Sequence, residues 1–158
     1  DMEEVKRFVV KKVGEHGAKR VIMQNRPELT VLDLASSLPD VQLFVWNSDP
    51  EERWIVRAAE ADIGIVIADY GVAYTGSMVI RSSENQGRSI SLLPEVLMAI
   101  IPADRIKTRL GEIMAMFDRE KLPAGIHFIT GPSRSADIEN DLAIGVHGPG
   151  IVYALIVG

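Results

Sequence analysis

Hydrophobic and polar positions keep one rhythm up to residue 70 and another beyond it. Val5, Phe8, Val9 and Val13 recur at helical spacing among charged residues, so residues 2–16 predict an amphipathic helix that Gly14 and Gly17 end. Residues 20–25 form a short apolar run and predict a strand. Pro27 stands where a first helical turn begins, and Leu29, Leu32, Leu34 and Leu38 extend it into a second helix. Residues 41–47 are rich in strand formers. Ser48 or Asp49, ahead of Pro50, predicts the N-cap of a helix running through Arg57 to Glu60. Residues 63–68 are continuously apolar, as a parallel strand buried on both faces requires. This alternation of helix and strand predicts an α/β fold with a mainly parallel sheet flanked by helices.

After Tyr70 the texture changes. Residues 77–81 predict a strand, followed at once by a polar loop over residues 82–88. Residues 96–101 are apolar again, between Pro94 and Pro102. Ile106, Leu110, Ile113, Met114 and Phe117 would share one face of a helix over residues 104–117. Residues 126–130 predict a strand. Ser133 or Ser135 then caps a short helix reaching Ile144, and residues 151–157 form a last strand. With no repeat or linker, residues 1–158 read as a single domain.

Charge and composition narrow the chemistry. A net charge of -5 argues against nucleic acid, whose phosphates need a basic face. No cysteine is present, so this chain offers no thiolate to a cluster, a zinc ion or a covalent mechanism. That favours a cytoplasmic setting. No run approaches the roughly 20 apolar residues of a membrane span. The charged opening after Asp1, itself not a natural start, is no signal peptide. His16, His127 and His147 have no metal-ligand spacing, so no metal site is expected. Trp46 and Trp54 are expected to pack a helix on the sheet, and Met98, Met114 and Met116 to fill the core.

Three segments stand apart. Thr75, Gly76 and Ser77 form a small-residue turn beside an apolar strand, which lets a ligand approach backbone N–H groups but equally serves as a tight turn between strands. Arg88 is the lone cation of the polar loop and can clamp a carboxylate or phosphate or stand solvated. The third segment runs through Gly131, Ser133, Arg134, Ser135, Asp137 and Glu139, with His147 between glycines further on. Read as a strand feeding a helix N-terminus, it suits an anion, and read more plainly it is ordinary capping. His147, in a glycine-rich loop, can carry a proton or be an incidental loop histidine.

These segments resemble, in order and rough spacing, the C-type proteins of the LUD-domain family associated with bacterial lactate utilisation. The likeness rests on Thr75-Gly76-Ser77, Gly87-Arg88, Ser91-Leu92-Leu93-Pro94, the stretch 131–139, and Gly145-Val146-His147-Gly148-Pro149. It covers residues 73–158. Tyr74 departs from it, standing where such proteins usually carry an acid, and the N-terminus is shorter than typical. The resemblance implies a fold like that of sugar-phosphate isomerases and CoA-transferases. It implies a non-redox subunit of an iron–sulfur complex that oxidises L-lactate to pyruvate, either binding a small carboxylate or organising the complex. The iron–sulfur clusters would lie on partner subunits, with no cofactor in this chain. The expected binding residues are Thr75, Gly76, Ser77, Arg88, Gly131, Ser133 and Arg134, with His147 or Asp137 handling the proton. The alternative is a stand-alone enzyme of the related fold, acting on a sugar phosphate or an acyl-CoA.

Overall fold

A computed structural model describes residues 1–117, 122–132, 134–136, 142–144 and 148–158. The elements in order are α1 (Met2–Glu15), β1 (Arg20–Met23), α2 (Pro27–Thr30), α3 (Leu34–Ser37), β2 (Gln42–Val45), α4 (Trp54–Glu60), β3 (Ile63–Ile67), β4 (Tyr70–Val72), β5 (Ser77–Arg81), α5 (Ser89–Leu92), β6 (Val96–Pro102), β7 (Ile106–Lys107), α6 (Leu110–Met114), β8 (Ile126–Ile129), β9 (Arg134–Ala136), β10 (Leu142–Ile144) and β11 (Ile151–Val157).

Five strands form the central sheet, in the order β2-β1-β3-β6-β11 and all parallel. Side chains of successive residues point to opposite faces, and both faces are buried. Val21, Met23, Ile63, Ile65, Ile67, Val96, Met98 and Ile100 meet Val5, Val9 and Val13 of α1 on one side. Ile22, Val66, Leu97, Ala99 and Ile101 meet Ala58 of α4 and Ile90 of α5 on the other. Each fully buried Ile, Leu or Val is worth roughly 1.5–3 kcal/mol. Gly64 allows a close approach: a Cβ there would lie 2.1 Å from the Ile90 carbonyl oxygen. Among the described residues, no helix is long and apolar enough to cross a membrane.

A second sheet, in the order β7-β4-β5-β8, lies on the α4 and α5 side. Met78 and Ile80 of β5 join the core beneath the parallel sheet, while Val79 meets Val72 and Ile113 of α6 on the far side. The Thr75 segment is therefore the turn of the hairpin formed by β4 and β5, whose strands are antiparallel.

Five expectations need correction. The helix expected from Pro27 to Leu38 is two short ones, because Asp33 takes a left-handed conformation (φ 45°) that a right-handed helix cannot continue through. The helix expected at Ser48 or Asp49 starts at Trp54, with Asp49 accepting the Glu51 N–H in a turn instead. Over residues 104–117 only α6 and a single 3-10 turn at Ala103–Arg105 are helical, since Ile106–Lys107 extends to pair with Gly71–Val72. Met114 and Met116 are consequently about half exposed, at 48% and 52%, whereas Met98 is buried in the core. After Gly131, β9 and β10 form an antiparallel pair, Arg134 opposite Ile144, where a helix was expected. The ladder takes up those backbone groups, so the anion-binding helix terminus read from the sequence is replaced by antiparallel strand pairing.

Candidate functional site

The order β2-β1-β3-β6-β11 reads 2-1-3-4-5 along the chain. It reverses between β1 and β3, and in open α/β sheets ligands bind beyond the carboxyl ends of the strands at such a reversal. A cavity of about 440 Å³ lies there, lined by Arg26 after β1, Asp69 after β3, Arg105 after β6, Arg81, Gln86 and Lys107. Tyr70, Asp104 and Met116 complete its wall.

Asp69 is the fixed point. It is only 4% exposed, and it sits where the chain leaves the parallel sheet for the second one. Its carboxylate accepts the Arg81 backbone N–H at 2.8 Å and the Arg81 guanidinium at 3.0 Å. Arg26, 13% exposed, lies 4.0 Å from the same carboxylate and 2.9 Å from Glu28. A buried charge must be paired, and here one carboxylate sits between two guanidinium groups. The Glu28 backbone N–H, then Arg26 and more distantly Arg105, hold the Glu28 carboxyl below the usual range against its partial burial. Gln24, fully buried, accepts the Ile67 N–H at 2.8 Å and so ties the ends of β1 and β3 together.

The polar loop forms one side of the mouth. Asn25 N–H donates to the Asn85 carbonyl at 3.0 Å, and the Trp46 indole donates to the Glu84 carbonyl at 3.0 Å. A Cβ at Gly87 would lie 2.1 Å from the Trp46 ring, so the loop rests directly on the indole face. With its amide oriented to satisfy both neighbours, Gln86 donates to the Arg81 carbonyl at 2.9 Å and accepts from Arg26 at 3.3 Å. Trp46 and Trp54 lie with ring centroids 6.1 Å apart and pack α4 against the sheet, as expected.

Arg105 and Lys107 differ from the other cations. Both are half-buried, and neither has an ion-pair partner within 4.0 Å among the described residues. The cavity therefore presents available positive charge over a neutralised floor, which is an arrangement for holding an anion. No histidine lines it among the described residues.

The residues expected from sequence divide between two other places. Pairing of β5 with β8 brings Thr75, Gly76 and Ser77 beside Thr130 and Gly131. Thr75, Ser77 and Thr130 join through hydroxyl hydrogen bonds of 2.7 Å each, and Gly131 (φ 112°) makes the turn away from them. Gly76 and Ser77 line an apolar cavity of about 330 Å³ with Ile101, Ile106 and Ile156, where no described side chain supplies positive charge. Tyr74 is 80% exposed, and the Arg109 guanidinium stands 5.9 Å from its ring centroid. Arg88 is exposed ahead of α5, beyond the other end of β5. There it lies near His127, whose imidazole donates to or accepts from Ser82 at 3.0 Å. Burial, with Arg88 adding to it, lowers the His127 pKa. Arg134 lies in β9. Ser133, Asp137 and His147 fall outside the described residues.

Comparison with known proteins decides the family. The LUD domain pattern matches residues 1–157. The chain belongs to the LUD domain family. It is 42% identical over 140 residues to lactate utilization protein C of Halalkalibacterium halodurans, covering 85% of this chain and 61% of that one. Lactate utilization protein C of Shouchella clausii is 38% identical, covering 87% and 62%. The chain thus spans about three-fifths of the length of these LUD relatives. A crystal structure of a DUF162 family protein from Deinococcus radiodurans shares the fold, with a TM-score of 0.51 at 18% identity over 100% of this chain and 99% of that one.

Proposed function

We propose that this LUD domain is the carboxylate-binding, non-redox part of a bacterial lactate-utilisation system, working beside partner subunits that carry iron–sulfur clusters. The observation that carries the reading is the cavity at the β1/β3 reversal, where Arg105 and Lys107 stand without ion-pair partners among the described residues. A half-buried cation lacking a counter-ion suits a carboxylate, and lactate and pyruvate are both monocarboxylates. The relatives named for lactate utilisation supply the substrate class. In this reading the domain holds and orients the acid. His147 or Asp137 handles the proton, and the electrons leave through the partner.

Calorimetric titration of lactate and pyruvate tests it. Lys107→Ala should weaken binding about tenfold, the worth of one charge-assisted hydrogen bond. Arg88→Ala, a change outside the cavity, should leave affinity within twofold. Equal affinities for the Lys107→Ala variant and the parent chain would sink the assignment. An anaerobic pull-down that brings a brown partner and lactate-dependent dye reduction would support the partner half of the reading.

A further inference from the structure

The cationic cavity has an apolar neighbour. On the α1 side of the same sheet edge lies a cavity of about 450 Å³. Val31, Ile67, Ile100, Pro102 and Val157 line it. Arg105 belongs to both cavities. The Arg26–Glu28 ion pair stands between them, with Arg26 on the cationic side and Glu28 on the apolar side. Charged head-space and apolar body-space therefore meet at one guanidinium.

We propose that the two cavities form one site for an amphipathic anion: a carboxylate or phosphate head on Arg105 and Lys107, and an apolar chain or ring running along Ile67, Ile100 and Val157. The proposal rests on reading the cationic cavity as an anion site. It goes beyond lactate in size, because a three-carbon acid occupies the head-space and leaves the apolar space to water. Val31, 83% exposed, stands at the apolar lip. An apolar side chain left in water beside an apolar hollow gains when a hydrocarbon covers it. A ligand that spans both spaces draws on charge pairing at one end and the hydrophobic effect at the other, and ligand pockets commonly combine the two in this way.

The test is calorimetry with straight-chain acids from acetate to decanoate, kept below their micellar concentrations, with lactate in parallel. Affinity should rise roughly fourfold per added methylene until the apolar space is full, then level off. The heat-capacity change of binding should grow more negative along the same series. Arg105→Ala should weaken every member about tenfold. Val31→Glu, on an exposed position that leaves the core intact, should flatten the dependence on chain length. Decyl phosphate run beside decanoate names the head group, the tighter of the two being the head the site prefers. Equal affinity for acetate and decanoate would overturn the proposal, as would a steep dependence that Val31→Glu leaves untouched. Decanoate bound and lactate ignored would remove the lactate reading and keep this one. Lactate bound with no dependence on chain length would do the reverse.

Discussion

At the carboxyl edge of the parallel sheet, a buried carboxylate is paired with guanidinium groups, further cations stand unpaired among the described residues, and all come from residues far apart in the chain. At the Thr75–Ser77–Thr130 corner of the second sheet, neutral hydroxyls from two neighbouring strands bond to one another near the surface. The first region has available cations and a hollow to receive a ligand. The second has the conspicuous small-residue motif, but its hydrogen bonds are spent internally and its adjoining cavity is apolar. A motif that stands out along the chain can owe its residues to a tight turn. A binding site can be assembled from residues that look ordinary one at a time.

The largest effect should come from Asp69→Ala. It removes the carboxylate between Arg26 and Arg81 and leaves a mostly buried guanidinium short of a partner. The expected loss is about 2–4 kcal/mol in urea unfolding, moderated because Arg26 keeps Glu28 and Arg81 is partly solvated. Weaker carboxylate binding should accompany it. Ser77→Ala sharpens the contrast from the other side. Losing the hydroxyl between Thr75 and Thr130 should cost about 1 kcal/mol and leave carboxylate affinity unchanged. Lost binding in that variant would break the comparison and return the site to the motif.

The smallest effect concerns His127. Its pKa is lowered in the folded chain, so as pH falls the unfolded chain takes up the proton first. Its contribution to stability is complete above the ordinary value of 6.5, declines as pH falls from there to the folded midpoint, and is constant below. The imidazole resonance should titrate below 6.5, and His127→Phe should remove that part of the acid destabilisation. A midpoint above 6.5 would contradict the burial described for this edge of the second sheet.

How much was legible follows from which residues carry local information. The run at residues 63–68 announces a doubly buried strand, and Val5, Val9 and Val13 announce the helix that covers it, because burial writes its period into the chain. Residues 104–117 carry the same helical period, yet Ile106 is claimed by a ladder with Gly71, and tertiary pairing outweighs local preference. The cavity was hidden for a related reason. Asp69 ends an apolar run like any turn residue, and Arg26 precedes a proline like any helix approach. What joins them is the strand order, which places the end of β1 beside the end of β3 across some forty intervening residues. The single usable signal was a rule of topology: polar residues that follow adjacent parallel strands at a reversal are site candidates.

The position of β11 has a consequence for the making of the protein. β6 is apolar over nearly its whole length, and β11 covers its outer edge across all seven residues. About fifty residues separate the two strands, which at typical synthesis rates is roughly 3–10 s. For that interval the nascent chain carries an open, sticky edge on an almost wholly apolar strand. A ribosome-bound chaperone would find its natural substrate there, and slowed translation between residues 103 and 150 would lengthen the hazard.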